Sequence, residues 1–156
     1  MRGLVVTWLA ACAASASAKL LPIGSDAEFE EKILSASHCW GVLFVSKDRD
    51  AEEYMRAGAL MERMSVSLPG LSLARADVDD VKAVCSEFNV RKRMVPRLLV
   101  FNSRARQASI IKLSGLDVES LVAAVKAELT ENSQDKEGMY EKQTLAIGGG
   151  SDKDEP

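Results

Sequence analysis

Six consecutive apolar residues, Trp40–Val45, stand between the polar stretches Ser35-Ala36-Ser37-His38 and Ser46-Lys47-Asp48-Arg49-Asp50. The run is too short for a stable helix. A strand with one wet face would alternate apolar and polar residues, so this one must be covered on both faces. The fold it demands is a sheet with helices on each side, and the flanking sequence supplies the pieces. Residues 20–23 read as a short edge strand, because Pro22 has no N–H to give to a ladder. Ser25 reads as an N-cap with Glu28 completing a capping box, and Phe29, Ile33 and Leu34 share one helical face. Asp50 is placed to cap the next helix, residues 51–65, with Glu52 and Glu53 in its first turn and Tyr54, Gly58 and Met61 at helical spacing. Met55, Met61 and Met64 read as core filler.

Pro69-Gly70 marks a turn before a strand over 71–78, and Asp79 or Asp80 would cap a helix carrying Val81, Val84, Cys85 and Phe88. Strands over 98–101 and 109–113 flank a polar hairpin loop. Asp117 opens a last helix with Leu121, Val122, Val125 and Leu129 inside. The order β-α-β-α-β-α-β-β-α places the chain in the α/β class: a central mixed sheet, parallel at its core with an antiparallel edge, flanked by helices on both faces.

The two ends read differently. Arg2, the apolar stretch 4–14 and Ala16-Ser17-Ala18 have the form of a signal peptide over 1–18, with Lys19 as the mature N-terminus. That stretch is well short of the ~20 residues a helix needs to span a bilayer, so no membrane span is expected after cleavage. Beyond Leu129 the hydrophobic period stops. Residues 130–156 carry seven acidic and three basic side chains and a Gly148-Gly149-Gly150 triplet, and are expected to form a disordered acidic tail after a domain over 19–129. A formal charge of −3 favours neither nucleic acid nor an anionic membrane as partner.

Particular stretches resemble the thioredoxin superfamily in order and approximate spacing. They are Gly41-Val42-Leu43-Phe44-Val45, Ala76-Asp77-Val78-Asp79-Asp80, Phe88-Asn89-Val90, Val95-Pro96 before Leu98-Leu99-Val100-Phe101, and Ser114-Gly115 before the last helix. The resemblance implies a thioredoxin fold and a cis peptide at Val95–Pro96. It also implies what is missing. The family's C-x-x-C falls on Ala51-Glu52-Glu53-Tyr54, and its buried acid falls on Val45. The loop before the proline is longer than usual and basic (Arg91, Lys92, Arg93), with Arg97 after the proline. Without a nucleophilic thiolate at that position, thiol–disulfide exchange has no attacking group there.

The remaining chemistry is sparse. Cys39 and Cys85 read as buried structural thiols, with a structural disulfide between them as the alternative. His38, the chain's one histidine, reads as exposed and unattached. One His and two Cys without chelating spacing give no expected metal site, and no cofactor motif is present. The expected function is that of a redox-inactive, protein disulfide isomerase-like binding module in the endoplasmic reticulum lumen or exported from it. It would act in protein folding by holding unfolded clients or a partner protein. The expected peptide groove comprises Ala51, Tyr54, Val95, Pro96 and Gly115, with the basic loop beside it. The alternatives are an oxidoreductase working through one thiol and an accessory subunit of a larger assembly. The terminal Lys153-Asp154-Glu155-Pro156 resembles a retention tetrapeptide except at its last residue.

Overall fold

The computed structural model describes residues 20–48, 51–113 and 117–144; the expected signal peptide, Asp50, Gly115 and residues 145–156 lie outside the described residues. Strands β1 (Leu21–Ile23), β2 (Trp40–Val45), β3 (Ser72–Asp77), β4 (Arg97–Phe101) and β5 (Ser109–Lys112) form a mixed sheet in the order β1-β3-β2-β4-β5. The apolar run is its centre. β2 pairs parallel with β3, from Trp40↔Ser72 to Val45↔Asp77, and antiparallel with β4, from Trp40↔Phe101 to Phe44↔Arg97. Its alternate residues enter two separate cores: Leu43 and Val45 on one face, Val42 and Phe44 on the other.

Helices α2 (Ala51–Ser67) and α4 (Val118–Glu128) cover the first face through Ala57, Met61, Met64, Leu121 and Val125. Helices α1 (Asp26–Phe29, continued by a π-wound turn Glu30–Leu34) and α3 (Lys82–Glu87) cover the second through Phe29, Ile33, Val84 and Cys85. There Phe29 and Phe88 each meet Phe101 edge-on, at 5.5 and 5.1 Å between ring centroids, the arrangement ring quadrupoles favour. Met55 departs from its reading as core filler. It is 69% exposed, on the outer face of α2.

Local signals set the helix ends, with one exchange. Ser25 Oγ accepts from Glu28 N at 3.1 Å, while the Glu28 carboxylate reaches back one residue further than a capping box requires, to Gly24 N at 2.8 Å. Asp117 Oδ1 accepts from Ser120 N at 2.8 Å. For α3 the expected caps Asp79 and Asp80 do not serve. Val81 precedes the helix, and Asp26 of α1 accepts from Val84 N at 2.9 Å, a cap supplied from 58 residues away. The helix ends at Asn89 in the left-handed region (φ 58°), with Val90 N bonded back to Cys85 O at 2.8 Å. This is a Schellman closure, and it explains why Asn, which tolerates that conformation, separates Phe88 from Val90.

Two expectations are corrected. Cys39 and Cys85 are free thiols lying in the cores on opposite faces of the sheet, so the sheet itself stands between them and no disulfide forms. The packed unit also does not stop at Leu129. Residues 130–144 return across the sheet end as a strap held by backbone bonds: Cys39 N to Tyr140 O, Lys142 N to Ser37 O, and Gln143 N to Asn102 O. Asn132 and Lys142 are buried in it. Asn132 Nδ2 donates to Asn102 O and Glu141 O, and Lys142 Nζ donates to Ile33 O at 2.6 Å, capping a carbonyl at the end of α1. Polar anchoring explains why no hydrophobic period announces the strap.

Candidate functional site

α2, the loop before β4 and the start of α4 converge at the carboxyl end of β2. In open α/β sheets this is the end at which ligands bind. A groove of about 850 Å³ lies there. Ala57 and Leu60 of α2, Met94, Val95 and Pro96 of the loop, and Leu113 after β5 give it apolar walls. Glu53, Arg56, Arg63 and Asp117 give it a charged rim of mixed sign. The Val95–Pro96 peptide is cis, as the resemblance implies. The Asp117 carboxyl is held below its ordinary range by the backbone N–H of Ser120, so it is an anion at neutral pH.

The residues expected at the groove separate. Val95 and Pro96 line it. Tyr54 does not: its ring packs half-buried against the core beside α2, with the Arg75 guanidinium 5.6 Å from the ring centre. At about 100° per residue, Tyr54 lies on the opposite flank of α2 from Arg56, Ala59 and Arg63. Ala51 opens α2, and Gly115 lies outside the described residues. Arg56, Ala59, Leu60 and Arg63 were legible in the sequence only as a helix face; nothing in their spacing marks them as a groove wall.

The basic loop is wound as a 3₁₀ turn, Lys92–Met94, with Arg91, Lys92 and Arg93 exposed. Lys92 is drawn to two carboxylates, Asp79 at 3.3 Å and Asp48 at 3.6 Å, which raise its pKa. Part of the loop's positive charge is therefore answered from within the chain.

No described thiol approaches the groove. Cys39 precedes β2, at the far end of the strand from Pro96: Arg97 pairs with Phe44, which sets Pro96 beside Val45, some six residues or about 20 Å along from Cys39. Burial pushes its thiol up to about 12, and pushes that of Cys85 up to about 11. Val45, where the resemblance places a buried acid, is an ordinary core residue, 1% exposed. The site offers an apolar cleft, charges at its rim and the backbone beside a cis proline, which suit binding an extended chain better than exchanging a disulfide.

No family model matches the chain, and no curated protein matches it. Among solved structures it is similar to the oxidised thioredoxin from Plasmodium falciparum, with a TM-score of 0.56, 18% identity, and coverage of 70% of this chain and 98% of that one. It is also similar to a designed protein, with a TM-score of 0.57, 14% identity, and coverage of 71% and 98%. These likenesses establish a thioredoxin fold.

Proposed function

We propose that this chain is a redox-inactive thioredoxin-like module of the secretory pathway, retained in the endoplasmic reticulum lumen or exported, that binds extended segments of unfolded clients or of a partner protein in its groove. The observation that carries the reading is the groove itself: a cleft beside the cis proline, apolar within, with Glu53 at its rim and Ala51 and Tyr54 at the two positions where exchange chemistry would need sulfur. The backbone next to the proline can pair with an extended peptide as an added strand does. The rim's own charges balance, Arg56 and Arg63 against Glu53 and Asp117, and Arg91 and Arg93 of the basic loop adjoining Met94 tilt the preference toward segments with acidic residues. The signal-peptide form of residues 1–18 supports the compartment.

A disulfide-reduction assay and a pull-down from a lumenal fraction test this together. Wild type and the Cys39→Ser, Cys85→Ser double variant should reduce disulfides at the same rate, no faster than buffer with reductant. The immobilised chain should retain many polypeptides in substoichiometric amounts. A rate that depends on either cysteine would restore the single-thiol enzyme. Capture of one stoichiometric protein would make the chain an accessory subunit.

A further inference from the structure

His38 and Glu141 face each other across an antiparallel backbone bridge just ahead of β2. Directly opposed residues in such a pair send their side chains to the same side, with Cβ atoms about 4.5–5.5 Å apart. The strap turns through Gly138 at φ 85°, where Gly138 N bonds to Asp135 O, and so returns Asp135 to the same place. Asp135 Oδ2 lies 2.8 Å from His38 Nε2. Its other oxygen, Oδ1, accepts backbone N–H groups from Glu137 and Met139 at 2.9 Å each, which fixes the carboxylate with Oδ2 toward the imidazole. One possible ligand atom from each of His38, Asp135 and Glu141 then lies within 4.8 Å of the other two.

We infer that these three residues form a binding site for one divalent cation of the borderline class, with zinc as its type. Zinc bonds imidazole nitrogen and carboxylate oxygen at about 2.0–2.2 Å, so a tetrahedral site needs ligand atoms roughly 3.3–3.5 Å apart. Reaching that spacing takes a small widening of the His38–Asp135 contact and an inward rotation of the exposed Glu141 side chain. The ion takes the place of the hydrogen bond between Nε2 and Oδ2, and the bound ring carries its one remaining proton on Nδ1: an imidazolium gives its Nε2 proton to solvent, and a neutral ring moves its proton to Nδ1 by exchange with water. A neutral imidazole and two carboxylates balance the double positive charge, and water completes the fourth position. The imidazole selects against magnesium and calcium, which take oxygen ligands. The two N–H bonds on Asp135 Oδ1 act as the outer shell that holds a ligating carboxylate in place.

The placement gives such an ion a consequence. His38 leads into β2, whereas Asp135 and Glu141 belong to the strap, 97 residues away in the case of Asp135. A bound ion joins strap to sheet at the end opposite the groove, and the folded state gains by mass action.

The test is calorimetric titration of untagged, metal-stripped chain with zinc alone, alongside thermal melts with and without zinc or magnesium. The expected result is one zinc per chain at micromolar Kd, a zinc-dependent rise in melting midpoint reversed by chelator, and no rise with magnesium at the same concentration. His38→Ala and, separately, Glu141→Ala each lower zinc affinity at least tenfold. Because the Glu141 side chain is exposed, its variant decides the matter if the His38 variant fails to fold. No zinc binding, equal effects of magnesium and zinc, or unchanged affinity in Glu141→Ala overturns the site.

Discussion

Cys39 and Cys85 sit in apolar surroundings that favour the neutral thiol, and their reactivity and the alkaline stability of the chain follow from that. At pH 7.5 a disulfide-forming thiol reagent should leave both unlabelled in the folded protein and label both once denaturant is added. Labelling of either in the folded state at the rate of a free thiol would contradict their placement. The same shift has a sign in stability. An unfolded thiol ionises near its ordinary value of 9.0, whereas folded Cys85 holds its proton to about 11. Between those values the unfolded state is favoured by losing protons, so stability falls as pH rises through that window. A Cys85→Val variant should show a shallower decline in melting midpoint above pH 9 than wild type; parallel declines would refute the shift. At this scale the sequence was partly readable. Burial of both cysteines followed from their apolar neighbours, but the partner of His38 did not, because only the folded path of the strap brings Asp135 to it. Met55 shows the converse limit. Helical spacing placed a methionine near the core face, and the actual phase of α2 turned it outward.

Among the elements, α3 and the strap depend on backbone positions that single residues secure. Asn89 adopts φ 58°, a region that costs most residues about 1–2 kcal/mol and β-branched ones at least that. Asn89→Val should destabilise by about that amount in chemical denaturation, while Asn89→Gly stays near wild type; equal effects would mean the closure of α3 is not what Asn89 provides. Gly70 lies where a Cβ would collide with the backbone carbonyl of Gly138 in the strap, and its own carbonyl accepts from Tyr140 N. Gly70→Ala should therefore cost roughly 1–3 kcal/mol and raise hydrogen exchange at Tyr140 and Lys142 more than in β2. Uniform exchange across both would place the strain elsewhere. Elements whose stability comes from their own residues, such as the Ser25 and Asp117 caps, were legible. Those stabilised at a distance, such as the α3 cap from Asp26 and the polar-anchored strap, were not, since neither local pattern nor hydrophobic period encodes them.

For the molecule as a whole, the run Trp40–Val45 carried most of the fold, because the need to cover it twice leaves few architectures. Both cores, one on each face of the sheet, follow from it. Of the residues expected at the candidate groove, some line it and others do not. Val95 and Pro96 line the groove, whereas Tyr54 belongs to the other flank of α2, because a one-residue difference in helical phase decides which side of a helix faces a cleft. Binding of polypeptide in the groove, without chemistry, is read by NMR titration of the isotope-labelled chain with an unfolded, acidic client polypeptide. The expected result is saturable shifts at Arg56, Ala59, Leu60, Arg63, Met94 and Val95, at least a tenfold loss of affinity in Ala59→Trp, which fills the groove from an exposed position, and little loss in Tyr54→Phe. Shifts clustered on Tyr54 and Arg75 or on the strap, with Ala59→Trp binding as wild type does, would contradict it.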